Sequence, residues 1–281
     1  MAEWQTSRRR ISLDRPLVMG ILNVTPDSFS DGGEFLSADE AIRRAEQMIA
    51  DGVDIIDVGG ESTRPGSASV DPEVEVQRTL PVVDAIAQRF DIPISIDTTK
   101  WLVAKAAIES GAEIINDISG LRWNARLADL AVSTKVGLVL MHSRGTFETM
   151  HSEPPVDDIF ADLYHSLTAS IETAKKWGVR EEQIALDIGI GFGKTFEQNL
   201  ELLAKLGSIV SEFRSYPMLV GTSRKSFIGK ILGDAPPSER LGGSLATALM
   251  AVERGAKIVR VHDVKETVAA LAVACELNLR S

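Results

Sequence analysis

The chain has 281 residues, enough for one large α/β barrel domain or two smaller domains with a sizeable core. Hydrophobic residues make up 44% and charged residues 25%, and no apolar run approaches the roughly 18 residues of a membrane span, so the composition predicts a globular protein without a membrane segment. The formal net charge of -10 argues against nucleic-acid binding and requires any anion site to be a local cluster of positive groups.

The N-terminal segment and the cysteine count indicate a cytoplasmic protein. Residues 1–10 are polar, end in three arginines and contain no apolar signal core, so we expect no export. Cys275 is the only cysteine, which excludes an intramolecular disulfide and a cysteine-rich metal site.

The first strong element is an apolar run over 17–22, within the stretch GILNVTPDSFSDGG. It is too short for a helix and is bounded by polar residues, which is typical of a strand buried on both faces in a parallel sheet. The run ends at Asn23, and a loop rich in turn formers follows. The pattern predicts a buried strand that carries a functional side chain at its carboxyl end, where the loop begins.

The same pattern recurs along the chain, with predicted helices between the strands. The predicted strands are 17–22, 54–58, 93–96, 113–115, 137–141, 183–186, 217–220 and 257–261. The predicted helices are 37–52, 71–89, 101–110, 158–177, 238–255 and 264–279.

Eight strands alternating with helices, without a linker, predict an α/β fold, a single-domain (β/α)8 TIM barrel over 17–281 after a lead-in at 1–16. A doubly wound open sheet is the alternative. The barrel is favoured because nearly every strand ends in a chemically useful residue. An open sheet would collect such residues at one switch point, whereas a barrel brings all of them to one mouth.

The residues at or near the strand ends form the candidate site. A single Asn or Asp there is usually a turn former, but a shared mouth makes the set significant. The set is Asn23, Asp97, Asn116, His142, Asp187, Arg260 and His262. Of the adjacent Arg224 and Lys225, only one readily points inward, and we expect it to be Lys225.

Two loops add to this site. GIGFGKT is not a Walker loop, because Ile188 stands where glycine is required, and it occurs too late for a dinucleotide fingerprint. Its glycines would let the backbone approach a flat ligand held by Asp187. The Ser62–Gly66 loop carries hydroxyls and Arg64, which suit anion capture by a closing loop.

With these residues in place, the chain resembles the dihydropteroate synthase family of folate biosynthesis. The similar stretches occur in the family's order and cover 17–266: GILNVTPDSFSDGG, IIDVGGESTRPG, SIDTTK, IINDISG, MHSRG, LDIGIGFGK, LVGTSRKSFIG and IVRVHDVKE. Ile188, Ile190 and Ser143 depart from the usual family residues. The first two are expected to alter the edge of the pterin pocket slightly, and Ser143 the nearby loop.

The resemblance implies a magnesium-dependent condensation of a pterin diphosphate with 4-aminobenzoate, and inhibition by sulfonamides. It assigns pterin binding to Asp97, Asn116, Asp187, Phe192 and Lys225, and diphosphate binding to Asn23, Thr63, Arg64, Arg260 and His262. It assigns 4-aminobenzoate binding to Phe29, Thr63, Arg64, Pro65 and Ser223, and the metal to Asn23. The catalytic residues that it implies are Asp97, Lys225, Arg260 and His262. The loops at 25–33 and 61–67 would be lids.

Two other functions remain open at this point: a pterin-binding domain of a corrinoid methyltransferase, and a catalytically silent pterin binder. The diphosphate-binding set disfavours the first, and the magnesium and anion groups disfavour the second. The helical stretches 244–252 and 267–277 are rich in Ala, Leu and Val beyond one narrow stripe, which predicts a homodimer.

Overall fold

Eight parallel strands close into a barrel in the order in which they follow one another along the chain. The computed structural model describes residues 3–25, 38–64, 66–150 and 152–278. The barrel strands are β3 (Leu17–Asn23), β4 (Ile55–Gly59), β5 (Ile94–Asp97), β6 (Ile114–Asp117), β7 (Gly137–Met141), β8 (Ile184–Asp187), β9 (Met218–Val220) and β10 (Ile258–Val261), with β10 pairing back onto β3. This is a single-domain TIM barrel, as the sequence predicts, and the open sheet is excluded.

Helices surround the barrel. They are α1 (Ala38–Ala50), α2 (Pro72–Arg89), α3 (Trp101–Glu109), α4 (Arg126–Thr134), α5 (Ile159–Trp177), α6 (Phe196–Ala204), α7 (Leu206–Glu212), α8 (Ser226–Ile231), α9 (Leu241–Glu253) and α10 (Val264–Asn278). Within the described ranges, no helix combines the length and apolar character needed to cross a membrane.

Helices α4, α6, α7 and α8 are absent from the sequence-based prediction. Each has nine residues or fewer, so its apolar positions make less than three turns of a periodic pattern. One local signal does exist: Thr195 and Gln198 form a capping box at the start of α6. The bounds of the predicted strands agree with the structure to within two residues.

The alternation of side chains along each strand divides the apolar residues into two layers. One side chain in two packs outward against the helices, as Val18, Ile56 and Ile115 do. The intervening ones fill the lower interior of the barrel. These inner residues are Leu17, Met19, Ile55, Ile114, Val139, Ala185, Leu219 and Ile258.

An N-terminal hairpin covers the amino-terminal end of the barrel. Strands β1 (Glu3–Gln5) and β2 (Arg10–Ser12) pair antiparallel within the segment that the sequence presents only as a polar lead-in. Trp4 is fully buried with the inner layer, and its indole N–H donates to the carbonyl of Gln183 over 2.8 Å. A methyl group at Gly137 would lie 3.2 Å from the Trp4 ring, so the two fit closely. The polar site must therefore lie at the other end.

Replacing Trp4 should test this closure. Trp4→Ala removes a fully buried indole and its hydrogen bond, so we expect the free energy of unfolding to fall by about 3–5 kcal/mol. Trp177→Ala is the matched control, because that side chain is 45% exposed, and its effect should stay within about 0.5 kcal/mol. Chemical denaturation measures both, and equal effects would contradict a structural role for Trp4.

Candidate active site

Four neighbouring strands present a row of residues at the carboxyl end of the barrel. In the strand register, Asn23 lies beside Gly59, Gly59 beside Asp97, and Asp97 beside Asn116. A methyl group at Gly59 would lie 3.5 Å from Asn23 Oδ1 and 3.7 Å from Asp97 Oδ2. Glycine thus leaves an oxygen-lined recess between these two side chains.

Arg260 of β10 crosses the mouth and binds two carboxylates. Its Nε donates to Asp57 Oδ2 over 2.6 Å, and its Nη2 donates to Asp97 Oδ2 over 2.7 Å. Burial opposes the positive charge, but Asp57 and Asp97 outweigh burial and raise the pKa of Arg260. Burial raises the pKa of Asp97 to about 7, with Arg260 opposing and Asp57 adding to the rise.

Asp57 is a site residue that the sequence analysis misses. It is fully buried in β4 and accepts hydrogen bonds from Arg260 and from Asn116 Nδ2, the latter over 3.1 Å. The signal was present in the sequence, because Asp57 is the only charged residue within the apolar run IIDVG and stands two positions before Gly59. An interior carboxylate in such a strand needs a cationic partner.

The opposite side of the mouth combines a carboxylate, an ammonium and an aromatic ring. Asp187 is buried at the end of β8, and its Oδ1 accepts the Gly189 N–H over 2.7 Å. Burial raises the pKa of Asp187, while this N–H and Lys225 oppose the rise. Lys225 Nζ lies 4.0 Å from the centroid of the Phe192 ring, and burial lowers its pKa to about 8.

The residues after β9 and β10 interlock. The Ser223 hydroxyl lies 3.0 Å from His262 Nδ1 and accepts the His262 backbone N–H over 3.1 Å. Burial, together with Arg260 and Arg224, lowers the pKa of His262 to about 3, so the ring is neutral at pH 7. Arg224 turns away from the mouth and pairs with Asp263, leaving Lys225 as the inward cation of the pair.

His142 does not belong to the mouth, and grouping it with the strand-end residues is wrong. Its ring is fully buried on the helix side of β7, and Nε2 lies 3.0 Å from Asp162 of α5. The cause is strand alternation, because Met141 faces the mouth and the next side chain must face outward. Met141 instead forms an apolar wall with Phe192, Ile118 and Met150.

Ile188 and Ile190 do not line the mouth, so any effect on the pocket edge would be indirect and stays a prediction. Both are buried in the apolar layer between barrel and helices. The glycines around them have positive φ angles, +64° at Gly189 and +85° at Gly191. A methyl group at Gly189 would lie 1.8 Å from the carbonyl oxygen of His142, so packing against β7 already requires glycine there.

Ser143, which is expected to affect the nearby loop, forms hydrogen bonds to the loop after β6. Its hydroxyl donates to the carbonyl of Ile118 over 2.7 Å and accepts from Arg122 over 2.8 Å, which ties the loops after β6 and β7 together.

The loop after β4 carries Thr63 and Arg64. Thr63 is partly buried, and Arg64 is exposed and forms no ion pair within the described part of the chain. The Ser67 hydroxyl donates to Ser62 Oγ over 2.9 Å, which closes the loop on itself. Phe29, Pro65 and most of the first expected lid lie outside the described residues.

Comparison with known proteins agrees with this geometry. The family described as pterin binding enzymes matches residues 19–262. A dihydropteroate synthase of Escherichia coli is 50% identical over 94% of this chain and 92% of its own. A Yersinia pestis dihydropteroate synthase solved with a sulfonamide drug has a TM-score of 0.92 at 42% identity, covering 98% of this chain and 99% of that one. A Xanthomonas albilineans dihydropteroate synthase solved with 4-aminobenzoic acid has a TM-score of 0.91 at 39% identity, covering 99% and 98%.

The chain therefore belongs to the pterin binding enzymes and, among them, to the dihydropteroate synthases, which are transferases.

Asp57 should control the titration of Asp97. Asp57→Asn removes a neighbouring negative charge and leaves Arg260 to Asp97 alone, so we expect the pKa of Asp97 to fall from about 7 toward its ordinary value. The shift can be followed by carbon-13 NMR of aspartate-labelled, ligand-free protein. Asp162→Asn, which lies outside the mouth, should leave the Asp97 titration unchanged. An unchanged midpoint in Asp57→Asn would refute the coupling.

Proposed function

We propose that this protein condenses 6-hydroxymethyl-7,8-dihydropterin diphosphate with 4-aminobenzoate, giving 7,8-dihydropteroate and diphosphate by a dissociative substitution. The observation that supports this most directly is the mouth itself, where Asp97, Asn116, Asp187, Lys225 and Arg260 approach one another. The relatives solved with 4-aminobenzoic acid and a sulfonamide drug support the same substrate class.

The Asp187 side is proposed to bind the pterin ring. The ring edge carries a 2-amino group and an N–H side by side, and a carboxylate offers two matching acceptors. Asn116 adds a donor and an acceptor, and Lys225 donates to the ring carbonyl or a neighbouring nitrogen. Phe192 borders the ring and already contacts Lys225 through its face. These groups select a flat heterocycle with a donor-rich edge.

The diphosphate is proposed to bind between Arg260, His262, Thr63 and Arg64. Arg260 uses Nε and Nη2 for carboxylates, but a guanidinium has five N–H donors, so it still has protons for phosphate oxygens. His262 donates from its outer nitrogen when Ser223 holds the other. The exposed Arg64 closes over the anion as its loop folds inward.

Magnesium fits the recess beside Gly59. The recess is lined by Asn23 Oδ1 and the Asp97 carboxylate, and hard oxygen donors of this type suit Mg²⁺, which keeps several waters and takes few protein ligands. Asn23 would hold the ion together with phosphate oxygens. When bound, the ion neutralises charge on the departing diphosphate.

Asp97 is proposed to stabilise positive charge on the ring. The bond that breaks joins a methylene group to diphosphate, next to an electron-rich dihydropterin, so the centre ionises before the amine attacks. An anionic Asp97 beneath the ring favours this cation. The aromatic amine of 4-aminobenzoate is neutral at pH 7 and needs no dedicated base. Water must be excluded by the loops at 25–33 and 61–67, because it would trap the cation.

The second substrate is proposed to bind against Phe29, Thr63, Arg64 and Pro65, with Ser223 near its carboxylate. Sulfonamides would compete for this position. The contacts of Ser223 with His262 support this assignment, because they bring its hydroxyl next to a residue proposed to bind the diphosphate. A cytoplasmic location remains a prediction from the sequence.

The reaction can be tested by measuring diphosphate release with magnesium and the pterin diphosphate, with and without 4-aminobenzoate. We expect release to require the amine and to yield 7,8-dihydropteroate. A matched control omits only magnesium and should slow release, because the leaving group loses its counter-charge. No release, with the pterin still bound, would favour a silent pterin binder or a methyltransferase relative.

We also propose a homodimer formed through α9 and α10. Met250 is 40% exposed, Val273 62% and Leu277 66%, and together they leave apolar surface that a second copy would cover. Light scattering at micromolar concentration should give about twice the 30.4 kDa of one chain. Replacing both Val273 and Leu277 with Lys should reduce the mass to that of one chain. A single-chain mass for the unaltered protein would contradict the dimer.

A further inference from the structure

Lys194 joins two loops at the carboxyl end of the barrel. Its Nζ donates to the carbonyls of Gly189 over 2.7 Å, Phe192 over 3.0 Å and His142 over 3.2 Å. An ammonium has three N–H donors, and here each one has a backbone acceptor. The first two carbonyls belong to the glycine-rich loop after β8, and the third belongs to the residue that follows β7.

These three carbonyls converge only because of the unusual backbone of that loop. Gly189 has a φ angle of +64°, and the loop lies so close to β7 that no side chain fits at this position. Carbonyl oxygens that point at one spot repel one another, since each carries partial negative charge. A cation placed between them offsets that repulsion, so the conformation of the loop depends on Lys194.

The same loop carries the groups that face the pterin. The Gly189 N–H binds Asp187 Oδ1 over 2.7 Å, and the Phe192 N–H donates to the Gly189 carbonyl over 3.1 Å. The Phe192 ring in turn lies 4.0 Å from Lys225 Nζ. A displacement of Gly189 would therefore move both the Asp187 carboxylate, which is proposed to accept from the pterin, and the Phe192 ring, which is proposed to border it.

We propose that Lys194 is a positioning residue for the pterin subsite, which holds Asp187 and Phe192 in the geometry that receives the ring. This inference rests on the function proposed above and extends it to a residue that lies behind the pocket. Lys194 acts through the loop backbone.

The chain provides a matched control in a second partly buried lysine. Lys100 Nζ donates to Glu61 and to Glu75, each over 2.6 Å. Glu61 also accepts the Val70 N–H over 2.5 Å, so this cluster supports the other loop, the one after β4. Removing Lys100 also leaves buried carboxylates uncompensated, but beside β4 and β5, four and three strands away from β8 and its loop with Asp187 and Phe192.

The test compares Lys194→Met, Lys194→Gln and Lys100→Met with the unaltered protein. Burial lowers the pKa of Lys194 to about 7, so calorimetric titration with 6-hydroxymethylpterin is run at pH 6, where the ammonium keeps its protons. We expect Lys194→Met to weaken pterin binding by about ten- to a hundredfold, because small displacements of binding groups have large effects. Lys194→Gln keeps two donors and should lose less.

Lys100→Met should weaken pterin binding much less than Lys194→Met, because it leaves the Asp187 loop intact, and should instead raise the KM for 4-aminobenzoate in the condensation assay. Melting temperatures of all variants are measured alongside, since both lysine replacements should lower them. Equal pterin affinity in Lys194→Met and Lys100→Met, at similar losses of melting temperature, would overturn the proposal and leave Lys194 with a structural role only.

Two further outcomes separate this proposal from the function on which it rests. If Lys194→Met does not fold, the same comparison is made with Lys194→Gln, whose unchanged pterin affinity would equally overturn it. If the unaltered protein binds no pterin, the proposed function fails, and the inference fails with it.

Discussion

The ion pairs of Arg260 with Asp57 and Asp97 are the interaction on which the mouth of this barrel depends. Two carboxylates this close and this buried repel each other, and Arg260, which donates a hydrogen bond to each, offsets that repulsion and opposes the rise that burial causes in the pKa of Asp97. Arg260 supplies that cation from the opposite side of β3, so it joins β10 to β4 and β5. Asn116 extends the network to β6 through Asp57. Removing Arg260 would leave both carboxylates without their cationic partner, which is strongly destabilising, whereas removing either carboxylate leaves Arg260 paired with the other.

This network also limits how strongly the mouth attracts the diphosphate that we propose it binds. The charge of Arg260 is already balanced by two carboxylates, so Arg260 alone does not attract a multiply charged anion at long range. Further positive charge is required, which is the physical reason to expect a divalent cation beside Asn23 and the closure of Arg64. The neutral His262 contributes a donor and no charge.

The proposed pterin subsite is built mainly on strand ends, whereas the proposed diphosphate subsite includes a loop. Asp97, Asn116 and Asp187 stand at strand ends above an inner apolar layer that Trp4 closes from below. Two partly buried lysines bind the loops around the mouth: Lys194 contacts the loop after β8, behind the proposed pterin subsite, and Lys100 contacts Glu61 of the loop after β4. Thr63 and Arg64 follow Glu61 in that same loop, which our proposal expects to close over the diphosphate.

The sequence by itself determined the barrel and most of the mouth, because buried parallel strands read as continuous apolar runs and their polar ends must meet. Asn23, Asp97, Asn116, Asp187 and Arg260 all follow from that rule. It failed at His142, where only the register of β7 decides which of two adjacent side chains faces inward. The pairing of Arg260 with Asp57, the closure by Trp4 and the three carbonyls around Lys194 also needed the tertiary structure. These contacts join residues between 2 and 203 positions apart, and the shortest of them depend on backbone angles, so no local pattern of apolar and polar residues records them.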